Sequence, residues 1–265
     1  MKQMRCVSQW IVLALASLAA QRAVADITIG DQLLGIQTNW RVWGSTDDNN
    51  PVSGYTVSPG AKVLVVRVVT GNGGTMPATI TWNGSTLTQA VYVQGSASSR
   101  QGAIYYLFNP PAGGPGKLGP VGAVPIGWQR DVFTLAGVDT SVLPLTATAA
   151  NPNVSGYQLL TNTVTGVKHG SCAVVNEFGA TGPANFAVSA TPVPTGLVQQ
   201  LSLISTTAGA NLNMFSSGFF VTGLRAGALS VVGTVLPSSS DTLRHAMETA
   251  VFAPISLHGA LFTVR

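Results

Sequence analysis

The chain has 265 residues, of which 46% are hydrophobic and 8% charged, against a usual charged share of about 25%. Disorder needs low hydrophobicity and high charge, so this composition excludes it. The 13 Lys and Arg against nine Asp and Glu suggest a basic protein, an impression that the position of the basic residues removes.

The first 25 residues read as a targeting segment. Lys2 and Arg5 form a positive n-region, Trp10 to Ala20 an apolar h-region, and Ala23-Val24-Ala25 a small-x-small cleavage site before Asp26. The apolar run is too short to span a bilayer, and Cys6 precedes it, unlike the cysteine of a lipoprotein. The expectation is a signal peptide over 1–25, export to the extracellular space or cell surface, and no membrane insertion after cleavage. Cleavage takes Lys2, Arg5 and Arg22 and no acidic residue, leaving ten basic residues against nine and a net charge of +1. A nearly neutral chain lacks the positive stripe that nucleic acid requires, so nucleic acid is excluded as a partner. Cys172 is then the sole cysteine, and no internal disulfide is expected.

From Asp26 onward, short β-branched runs alternate with Gly, Pro and Asn punctuation, the pattern of an all-β antiparallel sandwich of jelly-roll or immunoglobulin-like type. Residues 26–265 are expected to form one large domain. In chain order, strands are predicted near Leu33 to Val42, Lys62 to Val69, Thr79 to Trp82, Ser85 to Val91, Ala103 to Phe108 and Val132 to Ala136. Others follow near Cys172 to Phe178, Phe186 to Ala190, Val198 to Ser205, Phe219 to Val221 and Ala228 to Val235. Lys62 to Val69 (KVLVVRVV) is apolar on both faces apart from Arg67, which predicts a central strand covered on both sides. Between Trp82 and Ser85, Asn83-Gly84 suits the two positive φ angles of a type I′ turn. A two-residue turn sets Trp82 opposite Ser85, Thr81 opposite Thr86 and Ile80 opposite Leu87, so that Ile80, Trp82 and Leu87 share the core face. Asn109 to Pro125, with five prolines, reads as an extended loop. Leu243 to Ala253 carries helix formers in RHAMETA, but its neighbours favour a last strand. No internal repeat is visible in the sequence.

Four segments in order, VSPGAKVLVVRVV, ATITWNGSTLTQA, AIYYLFNPPAG and FTLAGVDTSVLP, lie between Val57 and Pro144. Together they resemble a β-sandwich domain of secreted and cell-surface bacterial proteins. The late TAVFAP, Thr249 to Pro254, is similar to that domain's closing strand. The resemblance implies a jelly-roll or immunoglobulin-like module, mostly of unassigned activity. The chain departs from that pattern where GGPGKLGPVGAVPIG follows PPAG, and SLHGALFTVR offers no sorting helix or basic tail.

The sequence contains no G-x-S-x-G elbow, H-E-x-x-H helix, Walker loop or dinucleotide fingerprint. His169 stands three residues before Cys172, but catalytic Cys and His usually meet through the fold, so a buried thiol beside a turn is expected. His245 and Glu248 read as a surface pair, since two ligands make no metal site. Asp131 and Asp139 bracket VFTLAGV, too far apart for a glycosidase pair, and each reads as a turn residue; Glu177 has no evident partner. Asp47, Asp48 and Asn49, with Asn50, form the densest oxygen cluster. Their consecutive spacing favours a solvent turn before Pro51, with a structural calcium as the alternative. No other cofactor is expected. Trp40, Trp43, Tyr55 and Trp128, in or beside predicted loops, are the candidate aromatic platforms for a glycan. The expected function is therefore a secreted non-catalytic module of extracellular adhesion or assembly, with other extracellular proteins as partners. The alternative is a carbohydrate-binding module acting on polysaccharide through exposed aromatics.

Overall fold

The protein was analysed as a computed structural model that describes residues 25–38, 52–70, 76–95, 100–120, 128–150, 154–155, 158–180, 184–206, 214–237, 242–243 and 245–256. Those residues form strands and connections and contain no helix. In chain order the strands are Thr28–Thr38 (β1), Val52–Val57 (β2), Val63–Thr70 (β3), Ile80–Trp82 (β4), Ser85–Thr86 (β5), Thr88–Gln94 (β6), Gln101–Phe108 (β7), Gly113–Pro120 (β8) and Trp128–Ala136 (β9). There follow Leu145–Ala150 (β10), Val154–Ser155 (β11), Gln158–Val167 (β12), Cys172–Ala180 (β13), Ala184–Thr191 (β14), Val198–Thr206 (β15), Met214–Val221 (β16), Gly227–Pro237 (β17), Thr242–Leu243 (β18) and Ala246–Phe252 (β19).

The fold is all-β and antiparallel throughout, a layered sandwich of four main sheets. Two five-stranded sheets lie at its centre, ordered β1-β9-β3-β7-β6 and β10-β19-β13-β16-β15. The sheet β2-β8-β4-β5 covers the outer face of the first, and β12-β17-β14 covers the outer face of the second. β11 and β18 form a small separate ribbon. Apolar cores fill the three gaps. Tyr55, Ile80, Trp82 and Leu118 meet Leu64, Val66 and Val132 in the first. Val63, Val65 and Phe133 meet Val174, Phe220 and Phe252 between the central sheets. Val175, Phe219 and Val251 meet Leu160, Leu229 and Val231 in the third. β3 is therefore buried at all eight positions, with Val63 and Val65 in one core and Leu64, Val66 and Val68 in another. This is the central strand that its two apolar faces predict.

The hairpin takes the register its turn dictates. Asn83 and Gly84 have φ of 46° and 84°, Thr81 pairs with Thr86 and Trp82 with Ser85, and Leu87 N–H donates to Ile80 O at 2.9 Å. Ile80, Trp82 and Leu87 all enter the first core. The segment after it departs from expectation, because Gly113–Pro120, predicted as loop, is a strand between β2 and β4. Its glycines are the reason. A Cβ at Gly116 would collide with the Trp82 indole ring, so the missing side chain is the space the ring fills. Pro115 falls where the β2–β8 register shifts, a position where a lost ladder donor is tolerated. β19 resolves the other ambiguity as strand, with all seven residues buried.

The two halves of the chain repeat one topology. β1, β9, β3, β7 and β6 correspond in order to β10, β19, β13, β16 and β15, and β2, β8 and β4 correspond to β12, β17 and β14. The central sheets are stacked so that β6 packs over β10 and β19, while β1 lies over β15, an approximate twofold relation between the halves. No sequence period announces this, because strand topology constrains burial and hydrogen bonding but not residue identity.

Candidate functional site

Arg67, Asp131, Glu177, His245 and Glu248 are buried among the strands, each hydrogen-bonded to another buried polar side chain. From β3, Arg67 Nε donates to Asp131 Oδ2 of β9 at 2.6 Å, with both side chains fully buried. Arg67 Nη1 crosses to the facing sheet and donates to Asn176 Oδ1 at 2.5 Å and to Ser216 Oγ at 2.7 Å. Asn176 Nδ2 in turn donates to Glu248 Oε1 and, at 3.3 Å, to Val68 O. Burial raises the Glu248 carboxyl well above the usual range, an effect that the Asn176 hydrogen bond and the Arg67 charge oppose. Asp131 is thus an interior strand residue and not the turn residue its position suggests. Asp139 does make a turn, accepting from Ser141 N at 3.0 Å and Ser141 Oγ at 2.6 Å.

Neighbouring residues on these strands point the other way. Glu177 Oε1 lies 3.1 Å from His245 Nε2, both groups fully buried, and the carboxyl occupies the space left by Gly233. Burial raises the Glu177 carboxyl well above its ordinary value and lowers His245 to about 3, disfavouring the charged form of both groups. His245 and Glu248 are therefore not a surface pair. Both are buried, and each is bonded to a different residue of β13. Asn162 and Thr249 complete this gap with reciprocal hydrogen bonds of 3.0 and 3.2 Å.

The thiol is inert by placement. Cys172 is fully buried in the central core, where burial pushes its pKa far up, while His169 is exposed in the preceding turn.

The candidate aromatic and metal residues are scattered. Trp40, Trp43, Asp47, Asp48 and Asn49 lie outside the described residues. Tyr55 is 3% exposed, packs edge-on against Trp82 with ring centroids 5.6 Å apart, and donates its hydroxyl to Asp31 O at 3.0 Å. It is a core residue and offers no exposed ring, because β2 is a strand whose alternation turns Tyr55 and Val57 inward. Trp128 opens β9 opposite Thr38 and Thr70, on a different sheet from Tyr55. Among the described residues, no three His, Cys, Asp or Glu gather in a way that would hold a metal ion.

A cleft of about 480 Å³ opens where β1 lies over β15. Each is the last strand of its sheet among the described residues. Ile27, Ile29, Leu197 and Phe220 supply apolar walls, and Asp26, Thr28 and Gln199 supply polar groups. One rim is held by Thr195 and Leu197. Thr195 N–H and hydroxyl both donate to Gly223 O, at 2.9 and 3.0 Å, and Leu197 N–H donates to Thr222 Oγ1 at 3.0 Å. Gly223 has a φ of 66°, and a Cβ there would run into the Gly196 backbone, so the rim needs glycine at that position. Beside the cleft Val193, Leu197 and Val198 are exposed, the first two by more than 70%. Sequence reasoning missed this cleft, since no motif marks the place where two distant strands become stacked edges. The exposed apolar run around Leu197 was its one local sign. Comparison with protein families, with curated proteins and with solved structures finds no match to this chain.

Proposed function

We propose that the protein is a non-catalytic extracellular module that acts in adhesion or assembly, using the cleft between β1 and β15 and its apolar rim. The observation that carries this reading is the exposure of Val193, Leu197 and Val198 beside two sheet edges that end there among the described residues. Exposed strand edges template pairing with another chain, and clustered apolar side chains on a surface mark contact sites. The signal-like first 25 residues and the resemblance to secreted β-sandwich domains support an extracellular setting. The test is Leu197→Lys with Val198→Lys. Retention on producing cells and self-association in the ultracentrifuge should both fall, with an unchanged circular dichroism spectrum. Unaltered retention and association would remove the reading.

A second reading, carbohydrate binding, rests on Tyr92, which is 40% exposed beside a shallow depression lined by Gln89 and Gln101. An aromatic ring flanked by amides is the pairing that sugar rings and hydroxyls use. Pull-down on insoluble polysaccharides, lost in Tyr92→Ala and kept in the Leu197 variant, would favour it over assembly.

A further inference from the structure

The central sheets meet through a reciprocal arrangement that neither half needs for its own strand pairing. Arg67 and Asp131 are cross-strand partners on β3 and β9, and they cover Gly218 of β16 in the facing sheet. A Cβ at Gly218 would come within 2.7 Å of Arg67 Nε and 2.8 Å of Asp131 Oδ2. Asn176 and Glu248 are cross-strand partners on β13 and β19, the equivalents of β3 and β9. Together with the Phe178 ring, which a Cβ there would meet first, they cover Gly102 of β7, the equivalent of β16, where that Cβ would also come within 2.9 Å of Glu248 Oε1 and 3.0 Å of Asn176 Nδ2. Each half thus presents one polar pair and one glycine notch, and receives the same from the other. That is the self-complementary logic of an interface between two like subunits, here within one chain.

We infer that these two keys and notches form a lock that sets how the halves pair, so that they fold and move as one unit. The surrounding surfaces, Val63, Val65 and Phe133 against Val174, Phe220 and Phe252, are apolar and tolerate sliding, because hydrophobic contact is non-directional. The keys do not tolerate it. A slide of one residue along a strand, about 3.3 Å, takes the Arg67 guanidinium out of the Gly218 notch. It also breaks its bonds to Asn176 and Ser216, leaving a buried charge short of partners. Fixing register is the best attested use of buried polar groups that add little net stability.

The test replaces the first key with apolar residues of similar size, Arg67→Met with Asp131→Leu, in the full chain. The natural protein should melt in one calorimetric transition. The double variant should stay folded yet melt in two, with amides of β3 and β13 exchanging about tenfold faster or more. A single transition with unchanged exchange would overturn the lock, since the apolar surfaces would then suffice. Ser216→Ala removes one bond to the key while leaving Arg67 paired with Asp131, and gives a variant free of a buried unpaired charge. It should speed exchange in β3 and β13 by a few-fold without altering exchange in β12 and β17. Equal change in all four strands, or none, would also overturn the lock.

Discussion

The indole of Trp82 lies against Gly116, filling the space where any larger residue would place its Cβ. Trp82 Nε1 donates to Pro111 O at 3.3 Å, so both the ring and its polar atom are engaged by the segment that follows β7. A tryptophan at the tip of a hairpin is therefore a core residue, and the glycine-rich segment is the strand it packs on. Gly116→Val should destabilise by about 1–3 kcal/mol through overpacking, and Trp82→Ala by about 3–5 kcal/mol. Urea denaturation of both variants checks the relation, and a neutral Gly116→Val would disprove it.

The turn itself makes a smaller prediction. Gly84 sits at φ 84° with open space where a side chain would project, so Gly84→Ala meets conformational strain and no clash. The expected loss is about 1 kcal/mol. A larger loss in the same denaturation experiment would mean that the hairpin register had shifted.

Removing one partner of the buried ion pair should be costly. Asp131→Ala leaves the fully buried Arg67 guanidinium without its carboxylate, a change of about 3–5 kcal/mol. Chemical denaturation of Asp131→Ala measures it, and a loss below about 1 kcal/mol would show that water or another group replaces the carboxylate.

Glu177 and His245 give the stability a pH signature. The folded His245 pKa is lowered from 6.5 to about 3, so the unfolded chain takes up a proton first as pH falls. Its contribution is complete above pH 6.5 and is lost between there and about 3. The Glu177 carboxyl is raised above 4.5, so its contribution is complete below pH 4.5 and is lost as pH rises toward the folded value. Glu177→Gln should therefore flatten the decline in stability above pH 4.5. His245→Gln should flatten the decline below pH 6.5. Melting curves from pH 3 to 9 test both, and variants with the slope of the natural protein would refute the assignment.

Cys172 should behave as a buried hydrophobe. Its thiol is fully enclosed and its pKa is pushed up by burial, so it should resist a thiol-specific chromogenic reagent until the chain unfolds. Reductant should leave the melting temperature unchanged. Rapid labelling of Cys172 in the native protein would contradict the placement.

How much was legible depended on how local the cause was. Asn83-Gly84 specifies its turn from two residues, and KVLVVRVV shows two apolar faces, so the hairpin register and the central strand were both readable. β10 and β12 were not, because Thr and Ala in LTATAA and the polar residues of QLLTNTVTGV blur the alternation that marks a strand. β8 was misread because glycine and proline normally end strands, and the ring that makes glycine useful there comes from a segment some thirty residues earlier. Tyr55 seemed a loop aromatic for the same reason, since its partner Trp82 is distant in sequence.

The sequence by itself determined an all-β chain of low charge, the hairpin and the buried β3, each a consequence of composition or of contacts a few residues apart. Tertiary structure decided the rest. It stacked two like halves, turned Arg67, Asp131, Asn176 and Glu248 toward one another from four strands, and left β1 and β15 as the rims of a cleft. The physical reason is that burial and pairing between sheets depend on which distant residues meet, and alternation along a strand says which side a residue faces but not what waits there.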